Sequence, residues 1–262
     1  MPVTILRNTL GTIMLLISLN INAAPLYPEF TVNEGTIPGA VGHQLTANQI
    51  DFSYSSTITI QRDGTFTQTG ALSVSAFQMV DDVSGSRAVG SQLNLPESLM
   101  GGAGYQLGAS FTASGQTNST SNPSGTLGTY DSFSLSMLYD ANQDGTYDGL
   151  LGTAELNGFS TFFLDLDPLT AGDGDFSVDL DFLPSGMGMS YFTSLNPLYQ
   201  KMLLTGNTRV AAVKIGPNGE IIYEINGTGN ITFYQMPEPA SWYLFGLGIL
   251  ALGSVRRYRR QP

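Results

Sequence analysis

The sequence predicts an all-β domain of antiparallel strands, a β-sandwich or jelly-roll-like arrangement, and three observations support it. Apolar residues alternate with small polar ones in run after run, as in Phe133, Leu135, Met137 and Tyr139 with serines between them; such a period of 2 marks a strand with one buried face. The 31 Gly and 13 Pro in 262 residues suit many short strands joined by many turns. Between the two ends of the chain, no amphipathic run of helical period reaches three turns.

In chain order, residues 1–23 read as a secretory signal peptide: Arg7 in the basic region, an apolar stretch from Leu10 to Ile21, and small residues before a cleavage point after Ala23. Residues 24–236 form the predicted β domain, of a size usual for one domain. Ile50, Phe52 and Tyr54 lead into Thr57–Ile60, Arg62-Asp63-Gly64 is a turn, and Thr65–Thr69 returns, which makes a hairpin. Ala71–Val80, Tyr105–Ala113 and Tyr130–Tyr139 follow as strands, with 115–129 as a polar loop between the last two. Phe159–Asp167 and Asp175–Leu183 form a pair, and Leu198–Leu204 reads as a strand. Arg209–Ile215 and Glu220–Ile225 flank the turn Pro217-Asn218-Gly219, and Ile231–Tyr234 closes the domain.

The last 26 residues, 237–262, have a different layout. Pro237, Glu238 and Pro239 precede the uncharged, mainly apolar run Trp242–Val255, and Arg256, Arg257, Arg259 and Arg260 follow. As a helix, 14 residues span about 21 Å, short of the roughly 20 residues of a comfortable membrane span, which suits a temporary anchor. The arginines would stay on the cytoplasmic side, and the two prolines keep the motif extended for a protease groove.

Charge and cysteine count narrow the function classes. The formal net charge is −11, but five of the ten Lys and Arg lie in the two ends while all 21 Asp and Glu lie at or before Glu238, so the mature chain, counted with Glu238, carries about −16. Such a surface repels nucleic acid and anionic polymer and favours divalent cations. The absence of cysteine excludes disulfides, thiolate metal sites and a thiol nucleophile.

Motif, apolar run and Arg cluster, in that order, closely resemble the PEP-CTERM sorting signal of Gram-negative bacteria. The resemblance implies export across the inner membrane, removal of the leader by signal peptidase, recognition of Pro237-Glu238-Pro239 by a membrane-embedded exosortase, and only a transient hold on the inner membrane. Phe30–Ala40, Asp63-Gly64-Thr65-Phe66, Asp140–Asp144 and Asn196-Pro197-Leu198-Tyr199 are similar, in order, to flocculation-associated PEP-CTERM proteins. This second likeness implies a non-enzymatic surface or extracellular-matrix protein that works with exopolysaccharide in flocs or biofilm, and it supplies no catalytic residues.

Asp140, Asn142, Asp144 and Asp148 place side-chain oxygens at loop positions 1, 3, 5 and 9, with Gly145 at 6 and the Thr146 carbonyl at 7. Ca²⁺ needs such a ring of oxygens around a tight turn. Position 12 is Leu151 rather than Glu, so the segment reads either as a Ca²⁺ loop in a β context or as an Asp/Asn/Gly-rich turn. A second acidic set, Asp165, Asp167, Asp173, Asp175, Asp179 and Asp181, is expected to place Asp165 opposite Asp181 and Asp167 opposite Asp179, on a solvated outer face.

An exported glycan-active enzyme or a Ca²⁺-dependent carbohydrate-binding module is the alternative. It has less to stand on, because the one histidine, His43, sits in a Gly-His-Gln turn and neither a Gly-x-Ser-x-Gly nor a His-Glu-x-x-His motif occurs. The one tryptophan, Trp242, lies in the tail, which leaves Tyr105, Tyr147, Tyr191 or Tyr199 as platforms for sugar rings.

Overall fold

Twelve strands carry the fold in a computed structural model that describes residues 29–40, 42–81, 84–95, 104–118, 125–165, 174–195 and 201–234. They are β1 (Phe30–Asn33), β2 (Gln44–Ala47), β3 (Gln49–Ile60), β4 (Thr65–Asp81), β5 (Gly85–Ala88), β6 (Gln106–Asn118), β7 (Gly125–Asp140), β8 (Gly149–Leu156), β9 (Thr161–Asp165), β10 (Gly174–Pro184), β11 (Lys201–Ile215) and β12 (Ile221–Tyr234). A 3-10 turn over Glu34–Thr36 and a single-turn helix α1, Gly188–Tyr191, complete the described elements. The signal-peptide reading and the whole tail, with Pro237, Glu238 and Pro239, lie outside the described residues. Among the described residues no helix is long and apolar enough to cross a membrane.

The expectation of an all-β, antiparallel domain is met. β1 and β2 form a two-stranded sheet, and the other ten strands form one sheet ordered β11-β12-β3-β4-β6-β7-β8-β10-β9, with β5 attached to β4. Its two ends meet. β10 pairs with β11 over Gly174–Asp181 and Lys201–Thr208, so the sheet closes into a barrel and its paired flanks leave no open edge along that ladder. β8 and β9 share one place in the ring: β8 lies beside Ser134–Tyr139 of β7, and β9 beside Gly125–Thr129 of the same strand. Walls face each other across an apolar interior as in a sandwich, but neighbours in the ring follow chain order, so the crossovers of a jelly roll do not occur among the described strands.

Alternation in the sequence maps directly onto this wall. In β3, Phe52, Tyr54, Ser56 and Ile58 point inward and are buried, while Ser53, Ser55 and Thr57 are exposed. The inner residues meet across the barrel, with Phe66 of β4 4.9 Å from Phe162 of β9 and Tyr54 of β3 5.2 Å from Phe176 of β10, both edge to face. Such aromatic pairs add about 0.5–1.5 kcal/mol each beyond the area they bury.

Rings of this size fit because glycines lie beneath them. A Cβ on Gly227 would come 2.4 Å from the Tyr54 ring, one on Gly229 2.6 Å from Phe52, one on Gly206 2.7 Å from Phe176, and one on Gly70 2.6 Å from Phe111. This explains where the strands run longer than expected. Gly70 sits inside the unbroken β4, which joins the two segments expected at Thr65–Thr69 and Ala71–Val80, and Gly227 and Gly229 sit inside the unbroken β12. The expected loop 115–129 is also mostly strand, because Gln116, Thr117 and Asn118 pair with Thr129, Gly128 and Leu127.

One end of the barrel is covered by the segment that precedes β3. Phe30 of β1 stands 5.2 Å from Phe233 of β12, and Phe192, just after α1, packs edge-on against Phe30, Phe182 and Tyr191. Val32 bridges to Phe192, which ties β1 to the α1 segment.

The ring-on-glycine packing predicts that Gly227→Ala and Gly115→Ala each lower stability by about 1–3 kcal/mol, the usual cost of overpacking. Their Cβ atoms would lie 2.1 Å from the Asn207 carbonyl oxygen and 2.0 Å from that of Thr129. Gly90→Ala, which meets nothing within 4 Å, is expected to stay within about 0.5 kcal/mol of the parent. Urea unfolding midpoints check this; equal midpoints for all three variants would contradict it.

Candidate functional site

The loop 141–148 joins β7 to β8, and its acidic side chains are engaged in holding their own backbone. Asp140 is buried; its Oδ2 accepts from Gly145 N–H at 2.8 Å and its Oδ1 from Asn142 N–H at 3.2 Å. Asp148 Oδ2 accepts from Ala141 N–H at 2.8 Å, and Asp144 Oδ1 from Thr146 N–H at 2.8 Å. Positive φ at Gln143 (58°) and Gly145 (85°) forms the bend, and the Gln143 side chain donates to the Leu95 carbonyl at 2.7 Å. Among the described residues no three His, Cys, Asp or Glu side chains converge as metal ligands. Position 12 cannot contribute: Leu151 is fully buried in the core, and Glu155 lies on the outer wall, accepting from Ser134.

The second acidic set is divided between neighbours rather than opposed. β9 and β10 pair Phe163 with Asp175, a register that does not bring Asp165 to Asp181. Asp181 instead aligns with Glu155 of β8 and with Lys201 of β11, to which it is salt-bridged. Asp179 accepts from Tyr234 at 2.5 Å. The expected pairing failed because it treated β9 and β10 as an isolated hairpin, whereas β10 runs on between β8 and β11. Asp167 and Asp173 lie outside the described residues.

Inside the barrel there is little room. The cavity among Tyr54, Gln68, Tyr130, Phe162 and Thr208 has a volume of about 20 Å³, enough for about one water molecule. Its polar groups already have partners: Tyr130 donates to Gln68 Oε1 at 2.9 Å, and Gln68 donates to Ser56 at 3.0 Å. Burial holds the phenols of Tyr54 and Tyr130 well above their ordinary titration range.

A polar cluster that sequence reasoning missed lies under the covered end. Glu34, wholly buried, accepts through Oε1 from Ser91 Oγ, from Gln92 N–H at 2.9 Å and from Tyr105 OH at 2.9 Å. His43 reaches Oε2 at 3.2 Å, with its own side chain half exposed. Tyr105 donates to Glu34, so Tyr191, 2.7 Å away, donates to Tyr105. Burial pushes both phenols up, and the Glu34 charge adds to this. His43 is therefore a partner of a buried carboxylate rather than a free turn residue, and Ser91 bonds to that carboxylate rather than to the imidazole. Neither Tyr105 nor Tyr191 is available as a sugar platform, since both are fully buried; Tyr147 is 43% exposed, and Tyr199 lies outside the described residues.

The outer wall has a chemistry of its own. Register aligns Thr59, Thr67, Ser114 and Ser132 in one rank across β3, β4, β6 and β7, then Thr57, Thr69, Thr112 and Ser134, then Ser55, Ala71, Ser110 and Ser136. All but Ala71 carry a hydroxyl and none is charged. Compared with family models, with curated proteins and with solved structures, the chain matches none.

The Glu34 cluster predicts that Glu34→Ala lowers stability by about 3 kcal/mol, because it leaves several buried donors unmatched. His43→Ala is expected to cost less than about 1 kcal/mol, since one partner is half in solvent. Thermal unfolding of both variants checks the order, and a reversed order would contradict it.

Proposed function

We propose that this protein is an exported, non-enzymatic surface or extracellular-matrix protein, processed at Pro237-Glu238-Pro239 and engaged with exopolysaccharide in cell aggregation. The observation that carries the contact role is the outer wall: ranks of uncharged hydroxyls on a chain of net charge −11, around an interior with room for about one water. A wall of this kind offers hydrogen bonds to a hydroxylated polymer without the repulsion that the acidic remainder imposes on anions. The route is supported by the sequence alone, through the leader-like start and the succession of motif, apolar run and arginines at the end.

Mass spectrometry of the protein recovered outside the cell tests the route, with both ends expected to be missing. Replacement of Pro237, Glu238 and Pro239 by alanine is expected to leave the chain in the inner membrane. An intact Arg256–Arg260 tail on a stably membrane-integrated product would overturn the processing proposal. A deletion strain tests the role: aggregation is expected to fall while exopolysaccharide output is kept.

A structural Ca²⁺ held by Asp140, Asn142, Asp144, Thr146 and Asp148 is part of the same proposal, and it requires these carboxylates to turn from backbone N–H groups towards the ion. Thermal unfolding with Ca²⁺ and with chelator decides this. Binding to the native state alone adds about 2.7 kcal/mol at a hundredfold excess over Kd, and Asp140→Ala/Asp144→Ala is expected to abolish that gain. A wild-type midpoint insensitive to Ca²⁺ assigns the loop as a turn.

A further inference from the structure

On the outer face of β11, β12, β3 and β4, two hollows lie end to end. One, of about 430 Å³, is lined by Ser55, Thr57, Thr69, Ala211, Glu224 and Asn226 among others. The second, of about 500 Å³, is lined by Asp51, Ser75, Asn207, Thr228 and Asn230 with the backbone of glycines 206 and 229. They adjoin because Asn226 pairs with Ser55 and Thr228 with Ser53 on the same ladder. From Glu224 to Asn230 the trough runs about 20 Å along the strand. Each hollow lies at an irregularity of the ladder: β11 shifts register between Val210 and Ala212, and β3 between Asp51 and Phe52. Such shifts bend a strand locally.

The lining is ordered for hydrogen bonding. Asn207 Oδ1 accepts from Thr228 N–H at 2.9 Å, which fixes the carboxamide and leaves its NH₂ with no protein partner among the described residues. Asn230 Oδ1 likewise accepts from Thr205 Oγ1 at 3.0 Å. Asn226, Thr228 and Asn230 alternate outward on β12, with Ser53, Ser55 and Thr57 beside them on β3. Asp51 already accepts from Gln49 and Gln78. Acids stand at the two ends, Asp51 and Glu224, the latter salt-bridged to Lys214, and Arg209 is aligned with Asn226. β12 and β3, the floor of the trough, are paired on both flanks and offer no open backbone edge to an extended peptide; beyond Thr208 the outer edge of β11 pairs with no other described strand than β12.

We infer that this trough is a binding site for a neutral glycan chain, held by the amides of Asn207, Asn226 and Asn230 and the hydroxyls of β3. The inference rests on the polymer-contact reading above and gives it a place and a ligand class: an uncharged, hydroxyl-rich polymer rather than a polyuronate. Fixed amides and hydroxyls match sugar hydroxyls as donors and acceptors, while the net charge of −11 on the chain disfavours anions. Phe52 is the one aromatic residue in the lining, and it is buried on the inner face, so affinity comes from many weak contacts along one chain, strengthened where several protein copies bind one polymer.

The test is affinity electrophoresis of the full chain in native gels that contain dextran, hydroxyethyl cellulose, galactomannan or polygalacturonate. At least one neutral polymer is expected to retard the protein, and polygalacturonate is not. Asn226→Ala/Asn230→Ala is expected to bind roughly tenfold more weakly, as the loss of two hydrogen bonds of ordinary strength implies. Thr57→Phe, which fills one hollow, is expected to bind less as well, while Ser190→Ala, exposed on α1 and outside both the trough and the hydroxyl ranks, binds as the parent does. Hydrogen exchange of the unmutated chain with the retarding polymer adds a readout independent of how the variants fold, with β3 and β12 slowed. No retardation by any neutral polymer, equal retardation by polygalacturonate, unchanged binding of the trough variants, or protection elsewhere would each overturn the inference. Complementation of a deletion strain separates the two claims. If deletion leaves aggregation intact, the wider reading fails; if the parent and the trough variants restore aggregation equally, only the trough fails.

Discussion

The fold depends on aromatic rings seated on glycines inside a closed sheet. An eight-place barrel has an interior just wide enough for side chains to fill, and here phenylalanine and tyrosine do most of the filling. Many of these rings rest on a neighbour without a Cβ, as Tyr54 does on Gly227, Phe66 on Gly115 and Phe162 on Gly128. Without those glycines the rings would push the strands apart; without the rings the glycines would leave voids. Close packing of this kind leaves the small central cavity as the exception.

A filled interior moves chemistry to the ends and the outside. At the covered end, Glu34 serves as an anchor: its carboxylate gathers donors from the 84–95 segment and from Tyr105, and so fixes the strand preceding the barrel against it. A charge so deeply buried is tolerated only with several hydrogen bonds, and the buried rings of Tyr105 and Tyr191 pack edge to face beside it. The outside is the reverse, a lattice of hydroxyls and amides with few internal obligations. That contrast, polar groups paired inside and solvent-facing outside, makes the wall and its trough the surface open to a partner.

Much of the wall was legible in the sequence. The alternation in β3, β7 and β10 identifies inner and outer residues correctly, and the turn at Pro217-Asn218-Gly219 places the β11–β12 hairpin. Closure was not legible, because a period of 2 assigns faces to a strand and says nothing of which strands are neighbours. Gly70, Gly227 and Gly229 read as interruptions when they are seats for rings on adjacent strands. The Glu34 cluster joins residues as far apart as 34, 43, 91, 105 and 191, and no local spacing reveals it. In the 140–148 loop the oxygen spacing was visible, but the direction in which each carboxylate points was not.

Closure is the central claim, and amide hydrogen exchange along β11 tests it most directly. Residues Lys201–Thr208 close the ring against β10, whereas Arg209–Ile215 pair with β12 alone among the described strands. Along Lys201–Thr208, protection as strong as that of the β3–β4 ladder is expected, with faster exchange beyond Thr208. If Lys201–Thr208 exchanged like an open edge while β3 and β4 stayed protected, the sheet would not be closed and the account would fail.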